Sequence, residues 1–286
     1  MRCLELFAGI GGFPLAWQRL GWEHVGFVEI DPWCRAVLEK HWPMVPQHDD
    51  IKTYSATALR GYVDLVSGGP PCQPASVAGK RRGADDERWL WPDFLRVVSE
   101  CHPRWVVAEN PPGLVSLQPR GLDWILSKLE EAGYETEAVV LGAHDIGAPH
   151  LRRRVWIVAH AISDNIRLQS RRSGRQGGED PAQSRQFIRD TAGERLQGRE
   201  SLSQNLDQEF ASTERAGLRF PAGRDEPQRA WEPPRAKPRL GRDAPGLPRL
   251  LDSFARKNRL KALGNSVVPQ CAEMIGRAIQ AVENMR

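Results

Sequence analysis

RCLELFAGIGGFPLAWQRLGWEHVGFVEID, residues 2–31, decides the fold. An apolar run at 2–6 reads as a buried strand and breaks at a turn carrying Gly9, Gly11 and Gly12. An amphipathic stretch then reads as a helix over 12–20, and a second apolar run at 24–28 ends in Glu29. Strand, glycine turn, helix and strand in that order make a βαβ unit, whose turn brings the backbone close to a ligand at the carboxyl end of the strand. The spacing is not that of a GxGxxG dinucleotide turn, so from the residues alone it is equally a plain tight turn. Glu29 lies where an acid meets the ribose hydroxyls of a nucleoside, and DDI at 49–51 adds Asp50 and Ile51 at the end of a third strand. The alternative for Glu29 and Asp50 is helix capping.

The same alternation continues outward to residue 160. Strands are predicted at 63–67, 104–108, 137–141 and 154–159, and helices at 32–41, 91–100 and 121–132. This is an α/β chain with a doubly wound, mostly parallel sheet. In VDLVSGGPPCQPAS (63–76), Gly68, Gly69, Pro70 and Pro71 stop a strand sharply and display Cys72 at its end, where a nucleophile is expected; most cysteines are inert small hydrophobes. The loop that follows carries Lys80, Arg81 and Arg82, which suit a phosphate backbone or plain solvation. RWVVAENPPGL (104–114) repeats the pattern and brings Glu109 to the same edge, an acid beside a nucleophile. HLRRRVWIV (150–158) offers Arg152, Arg153 and Arg154, able to hold a carboxylate and a phosphate, or forming a surface run.

Residues 161–250 differ in texture: Arg, Gln, Gly, Ser and Pro dominate, and Phe187, Phe210, Phe220 and Trp231 are the only aromatics. The segment holds 17 Lys and Arg against 13 Asp and Glu, which equals the net charge of +4 for the whole chain. It reads as loop-rich, either a solvated insert or a nucleic-acid surface. VVPQCAEMIGRAIQAVENM (267–285) returns to helical spacing and predicts one closing helix. With 286 residues, the chain is organised as a catalytic domain at 1–160, a loop-rich region at 161–250 and a segment at 251–286 that completes the first domain. No apolar run approaches the roughly 20 residues of a membrane span, and the start lacks the pattern of a signal peptide, so a cytoplasmic protein is expected. Cys3, Cys34, Cys72, Cys101 and Cys271 are odd in number and form no CxxC pair, which argues against both a disulfide framework and a zinc site.

Taken together, FAGIGGF, the VEID acid, DDI, GGPPCQPAS, AENPPGL, RRRVWIVA and KALGNSVVPQ resemble, in order, the motifs of the cytosine carbon-5 DNA methyltransferases. The resemblance covers roughly residues 1–160 and 258–280. It implies a Rossmann-like domain that binds S-adenosylmethionine through Phe7, Gly9, Gly11, Gly12, Glu29, Ile30, Asp50, Ile51 and Ser266. It implies catalysis by Cys72, which attacks carbon 6 of a flipped cytosine, with Glu109 supporting protonation at ring nitrogen 3 and Arg152 and Arg154 orienting Glu109 and the base. Gln73 and Ser76, with Lys80, Arg81 and Arg82, would contact the DNA, and 161–250 would be the target-recognition region. The chain departs from the family at His150, where Gln is usual, and at Pro111, where Val is common. The expected partner is double-stranded DNA, with no metal and no membrane, and the chain acting as a monomer. Two relatives in chemistry or fold remain as alternatives, an RNA cytosine-5 methyltransferase and a non-catalytic DNA-binding protein. An NAD-dependent dehydrogenase gives Cys72 and GNSVVP no role.

Overall fold

The computed structural model describes residues 1–71, 89–117, 119–162 and 258–285. Five strands run parallel: β1 (Arg2–Leu6), β2 (Glu23–Val28), the short β3 (Gln47–His48), β4 (Leu65–Gly68) and β5 (Trp105–Asn110). Two more, β6 (Tyr134–Gly142) and β7 (Arg153–Ala161), complete a seven-stranded sheet in the order β3-β2-β1-β4-β5-β7-β6. Four helices follow the early strands: α1 (Gly12–Arg19), α2 (Pro32–His41), α3 (Trp91–Cys101) and α4 (Leu122–Glu131).

Alternation along the strands builds the two faces. Leu4, Leu6, Val66, Val106, Ala108, Val155 and Ile157 share one core with Phe94, Val97 and Val98 of α3 and Ile125 and Leu129 of α4. Cys3, Leu65, Trp105, Val107, Trp156 and Val158 turn the other way, towards Ala16 and Trp17 of α1 and the closing helix α5 (Pro269–Asn284). The doubly wound expectation holds in this form. The closing helix starts two residues later than its apolar spacing predicts, because Pro269 disfavours helical backbone at Val268 before it.

The series does not stay parallel to its end. β7 pairs antiparallel with both β5 and β6 and lies between them. The reason is the connection: residues 143–152 contain one 3-10 turn, His144–Ile146, and no crossover helix, so the chain cannot return to start another parallel strand. This reversal has a functional consequence. The first residues of an antiparallel β7 stand at the carboxyl edge of β5, so the arginines before and at its start reach the edge where Glu109 lies.

The closing helix is fastened at its far end. Glu283 accepts from the indole nitrogen of Trp105 at 3.0 Å and pairs with Arg104, joining α5 to the start of β5. Trp105 is 3% exposed, so its N–H has no water to turn to. Glu283→Ala is expected to cost about 1–3 kcal/mol by leaving that donor unmade, and Glu283→Gln, which keeps an acceptor, to cost less. The shift of the urea midpoint at constant slope measures it, and equal midpoints for the two variants would refute the account.

Candidate active site

The glycine turn is built from both directions. Phe7, Gly9 and Gly11 all have left-handed backbone, with φ of 54°, 57° and 91°. A side chain at Gly11 would meet the ring of Trp42 at 2.5 Å, and one at Gly12 would meet the carbonyl of Val267 at 2.7 Å and the hydroxyl of Ser266 at 3.1 Å. GNSVVP therefore joins the first turn of the chain by direct packing, which the sequence spacing could not reveal.

Glu29 does more than line a crevice. Its carboxylate accepts from the amide of Gly9 at 2.7 Å with one oxygen and from the amide of Asp31 at 2.8 Å with the other, so it ties the turn after β1 to the turn after β2. Burial pushes its carboxyl above the ordinary range, and these two amides pull it back. Asp31 caps α2 through the amide of Trp33 and pairs with Lys261 at 3.0 Å. Ile30, between the two acids, is 67% exposed, an unusual placement for a large apolar side chain at a strand end. Asp50 accepts from the amide of Lys52 within a turn, with no helix there to cap, and Ile51 is buried in the core beneath.

Glu109 stands at the end of β5, 8% exposed. Arg154 Nε lies 2.9 Å from its Oε1. Burial raises the carboxyl to about 7, against the pull of Arg154 and, more distantly, Arg152. Its free side faces the turn after β4: a Cβ on Gly69 would lie 3.8 Å from Glu109 Oε2. Asn110 holds that turn, donating to the carbonyl of Pro70 at 3.2 Å. A buried amide with its donor on a Pro-Pro turn is a signal visible only in space. Pro71 is the last described residue of the turn. Cys72, Gln73, Ser76, Lys80, Arg81 and Arg82 lie outside the described residues, as do 163–257 of the region expected to recognise DNA.

Arg152 is placed otherwise than Arg154. Its guanidinium donates to the carbonyl of Gly264 at 3.0 Å and to that of Ser266, not to Glu109. Ser266 thus sits between Gly12 and Arg152. The other four cysteines, Cys3, Cys34, Cys101 and Cys271, are buried free thiols. Burial holds the Cys34, Cys101 and Cys271 thiols up at about 12 and Cys3 well above its usual value, so none is a ready thiolate. Among the described residues no group of three His, Cys, Asp or Glu is arranged to hold a metal ion, and no helix is long and apolar enough to cross a membrane.

Replacing Glu29 distinguishes a loop strut from an acid that serves a ligand alone. Glu29→Gln can accept with only one of its two ends, so the protein without ligand should lose about 1–3 kcal/mol from the amide left unpaired. Chemical denaturation of the ligand-free protein measures this, and an unchanged midpoint would remove the strut role.

The sequence profile of the family described as C-5 cytosine-specific DNA methylase matches residues 1–229. Type II methyltransferase M.HgiCII of Herpetosiphon aurantiacus is 36% identical over 159 residues, which are 55% of this chain and 36% of that protein. Type II methyltransferase M.NgoMIV of Neisseria gonorrhoeae is 36% identical over 162 residues, 54% of this chain and 50% of that protein. Type II methyltransferase M.AquIA of Picosynechococcus sp. is 33% identical over 185 residues, 58% of this chain and 75% of that protein. The matched part of the chain thus spans between about a third and three quarters of these relatives' own lengths. Among solved structures, a DNMT2 mutant of Spodoptera frugiperda superposes with a TM-score of 0.48 at 25% identity, covering 56% of this chain and 50% of that one.

Proposed function

Since the chain belongs to the C-5 cytosine-specific DNA methylase family, we propose that it transfers a methyl group from S-adenosylmethionine to carbon 5 of cytosine in duplex DNA, with Cys72 as nucleophile. The observation that carries this reading is Glu109, a buried carboxyl poised at about 7 beside the turn that leads into Cys72.

The residues present fit the cofactor. An adenosine needs an apolar face and acceptors for ribose hydroxyls, and the edge between β1 and β2 offers the exposed Ile30 and the Glu29 carboxylate, whose oxygens each keep a lone pair beyond the amide they accept. A Cβ on Gly9 would touch nothing nearer than 4.0 Å, so the turn leaves room for a ligand against its backbone. Phe7, Gly11, Gly12, Asp50, Ile51 and Ser266 complete the proposed set. When bound, S-adenosylmethionine supplies an electrophilic methyl group on a sulfonium centre.

Carbon 5 of an intact cytosine ring is too weak a nucleophile to take that group. The Cys72 thiolate adds to carbon 6, forming the carbon–sulfur bond, and the carbon 5–carbon 6 π pair shifts between carbons 4 and 5. The carbon 4–nitrogen 3 π pair takes the proton that Glu109 gives to ring nitrogen 3, leaving an enamine whose carbon 5 is nucleophilic. At neutral pH a carboxyl near 7 is protonated in a useful fraction of molecules, where an ordinary glutamate is not. Arg154 keeps the carboxyl oriented and stabilises it once ionised. Carbon 5 takes the methyl group, with S-adenosylhomocysteine as the leaving group. Loss of the carbon-5 proton to solvent then expels Cys72 as thiolate, and ring nitrogen 3 returns its proton to Glu109. The base reaches this site only by leaving the helix, at a cost of about a few kcal/mol. The basic residues Lys80, Arg81 and Arg82, with Gln73, Ser76 and the 161–250 region, are proposed to hold the DNA, and the chain to work as a monomer in the cytoplasm.

Transfer of tritiated methyl from S-adenosylmethionine to mixed-sequence duplex DNA, with transfer RNA in a parallel reaction, tests the proposal. The wild type should label cytosine carbon 5 in DNA, Cys72→Ala should not, and Glu109→Gln should lower kcat/KM by roughly 10²- to 10⁴-fold. Label in RNA alone, or from Cys72→Ala, would overturn it. Because the protonated carboxyl is the active form, kcat/KM should fall as pH rises through about 7. Arg154 pulls the carboxyl down, so Arg154→Met should move that alkaline limb to higher pH, and a shift to lower pH would contradict the assignment.

A further inference from the structure

We propose that Arg152 is a positioning residue for the cofactor site: it locks the Gly264–Ser266 backbone against the glycine turn, while Arg154, two residues on, serves Glu109. This rests on the S-adenosylmethionine reading above. Arg154 lies within β7, whereas Arg152 precedes the strand on left-handed backbone, so strand alternation does not set its direction. Their partners differ. Arg154 Nε is 2.9 Å from Glu109, whereas Arg152 places one nitrogen between two carbonyls, those of Gly264 and Ser266.

Those carbonyls need a donor. Residues 258–265 are helical, and the last carbonyls of a helix have no partner within it. A guanidinium there satisfies them and places a positive charge at the negative end of the helix. Arg152 itself has left-handed backbone, with φ of 29°, a conformation that a long side chain adopts only where its surroundings hold it. The segment so fixed presses Ser266 and Val267 into the space that a side chain at Gly12 would fill. At its other end Lys261 pairs with Asp31, but Lys261 is 62% exposed, and a pair so open to water holds weakly. Arg152, half-buried and bonded to backbone, is the stronger of the two anchors. Without it the Gly264 and Ser266 carbonyls lose their guanidinium donor, and the segment keeps the Lys261 pair and the packing of Val267 and Val268.

Two readouts on the full chain test this. In the protein without cofactor, Arg152→Met should speed amide hydrogen exchange over 264–268 while Arg154→Met leaves it unchanged. By calorimetry, Arg152→Met should weaken S-adenosylmethionine binding about tenfold, the value of one charge-assisted hydrogen bond, with partial recovery in Arg152→Lys. Arg154→Met should bind within about twofold of wild type, since its partner is Glu109. Unchanged exchange in Arg152→Met, or equal loss of affinity in the Arg154 variant, overturns the inference. If exchange rises in Arg152→Met but the wild type binds no S-adenosylmethionine, the anchor stands and the cofactor reading falls.

Discussion

Glu109 ends a buried strand with its carboxyl almost wholly out of water, and a charge so placed must be matched or be protonated. The site depends on the balance between those two outcomes. Burial drives the proton on, Arg154 drives it off, and the result is a group that changes state near neutrality. Arg154 can be there because β7 runs antiparallel to β5 and begins where β5 ends. Had the 143–152 connection carried a crossover helix, a parallel β7 would have begun at the opposite edge of the sheet, and Glu109 would lack its counter-charge.

The glycine-turn side is governed by a second set of constraints, mostly on backbone groups. Three left-handed residues in five positions form a turn that no run of ordinary side chains would adopt, and Glu29 anchors it by taking one amide from each of two turns. Trp42 and Val267 close on it from either side, leaving no space for a side chain at Gly11 or Gly12. The two halves of the site meet at the 264–267 segment, which touches the glycine turn on one side and Arg152 on the other.

Much of this was legible in the chain. The βαβ series, the positions of nearly every strand and helix, and the arrival of Glu29, Glu109 and the Pro-Pro turn at one edge follow from apolar period, turn residues and the rule that ligands sit at strand carboxyl ends. The reversal of β7 was missed because period-two patterning is the same for either direction of a strand. The different partners of Arg152 and Arg154 were not legible because three arginines in a row carry no information about what each contacts. Asp50 illustrates another case: helix capping was one of two readings that the sequence left open, and the structure puts a turn there, closed by the Lys52 amide, with no helix to cap.

By itself, then, the sequence determined which residue types stand at which strand ends, since that depends on neighbours a few positions apart. It also determined the family resemblance, carried by seven short motifs in order. Only the tertiary structure decided that Ser266 and Val267 wall the turn of Gly12 and that Arg152 reaches the backbone there. It alone decided that one carboxyl is buried enough to hold its proton near pH 7. These are contacts between segments far apart in the chain, such as Gly12 and Val267, and a degree of exclusion from water, and neither quantity exists until the sheet has folded.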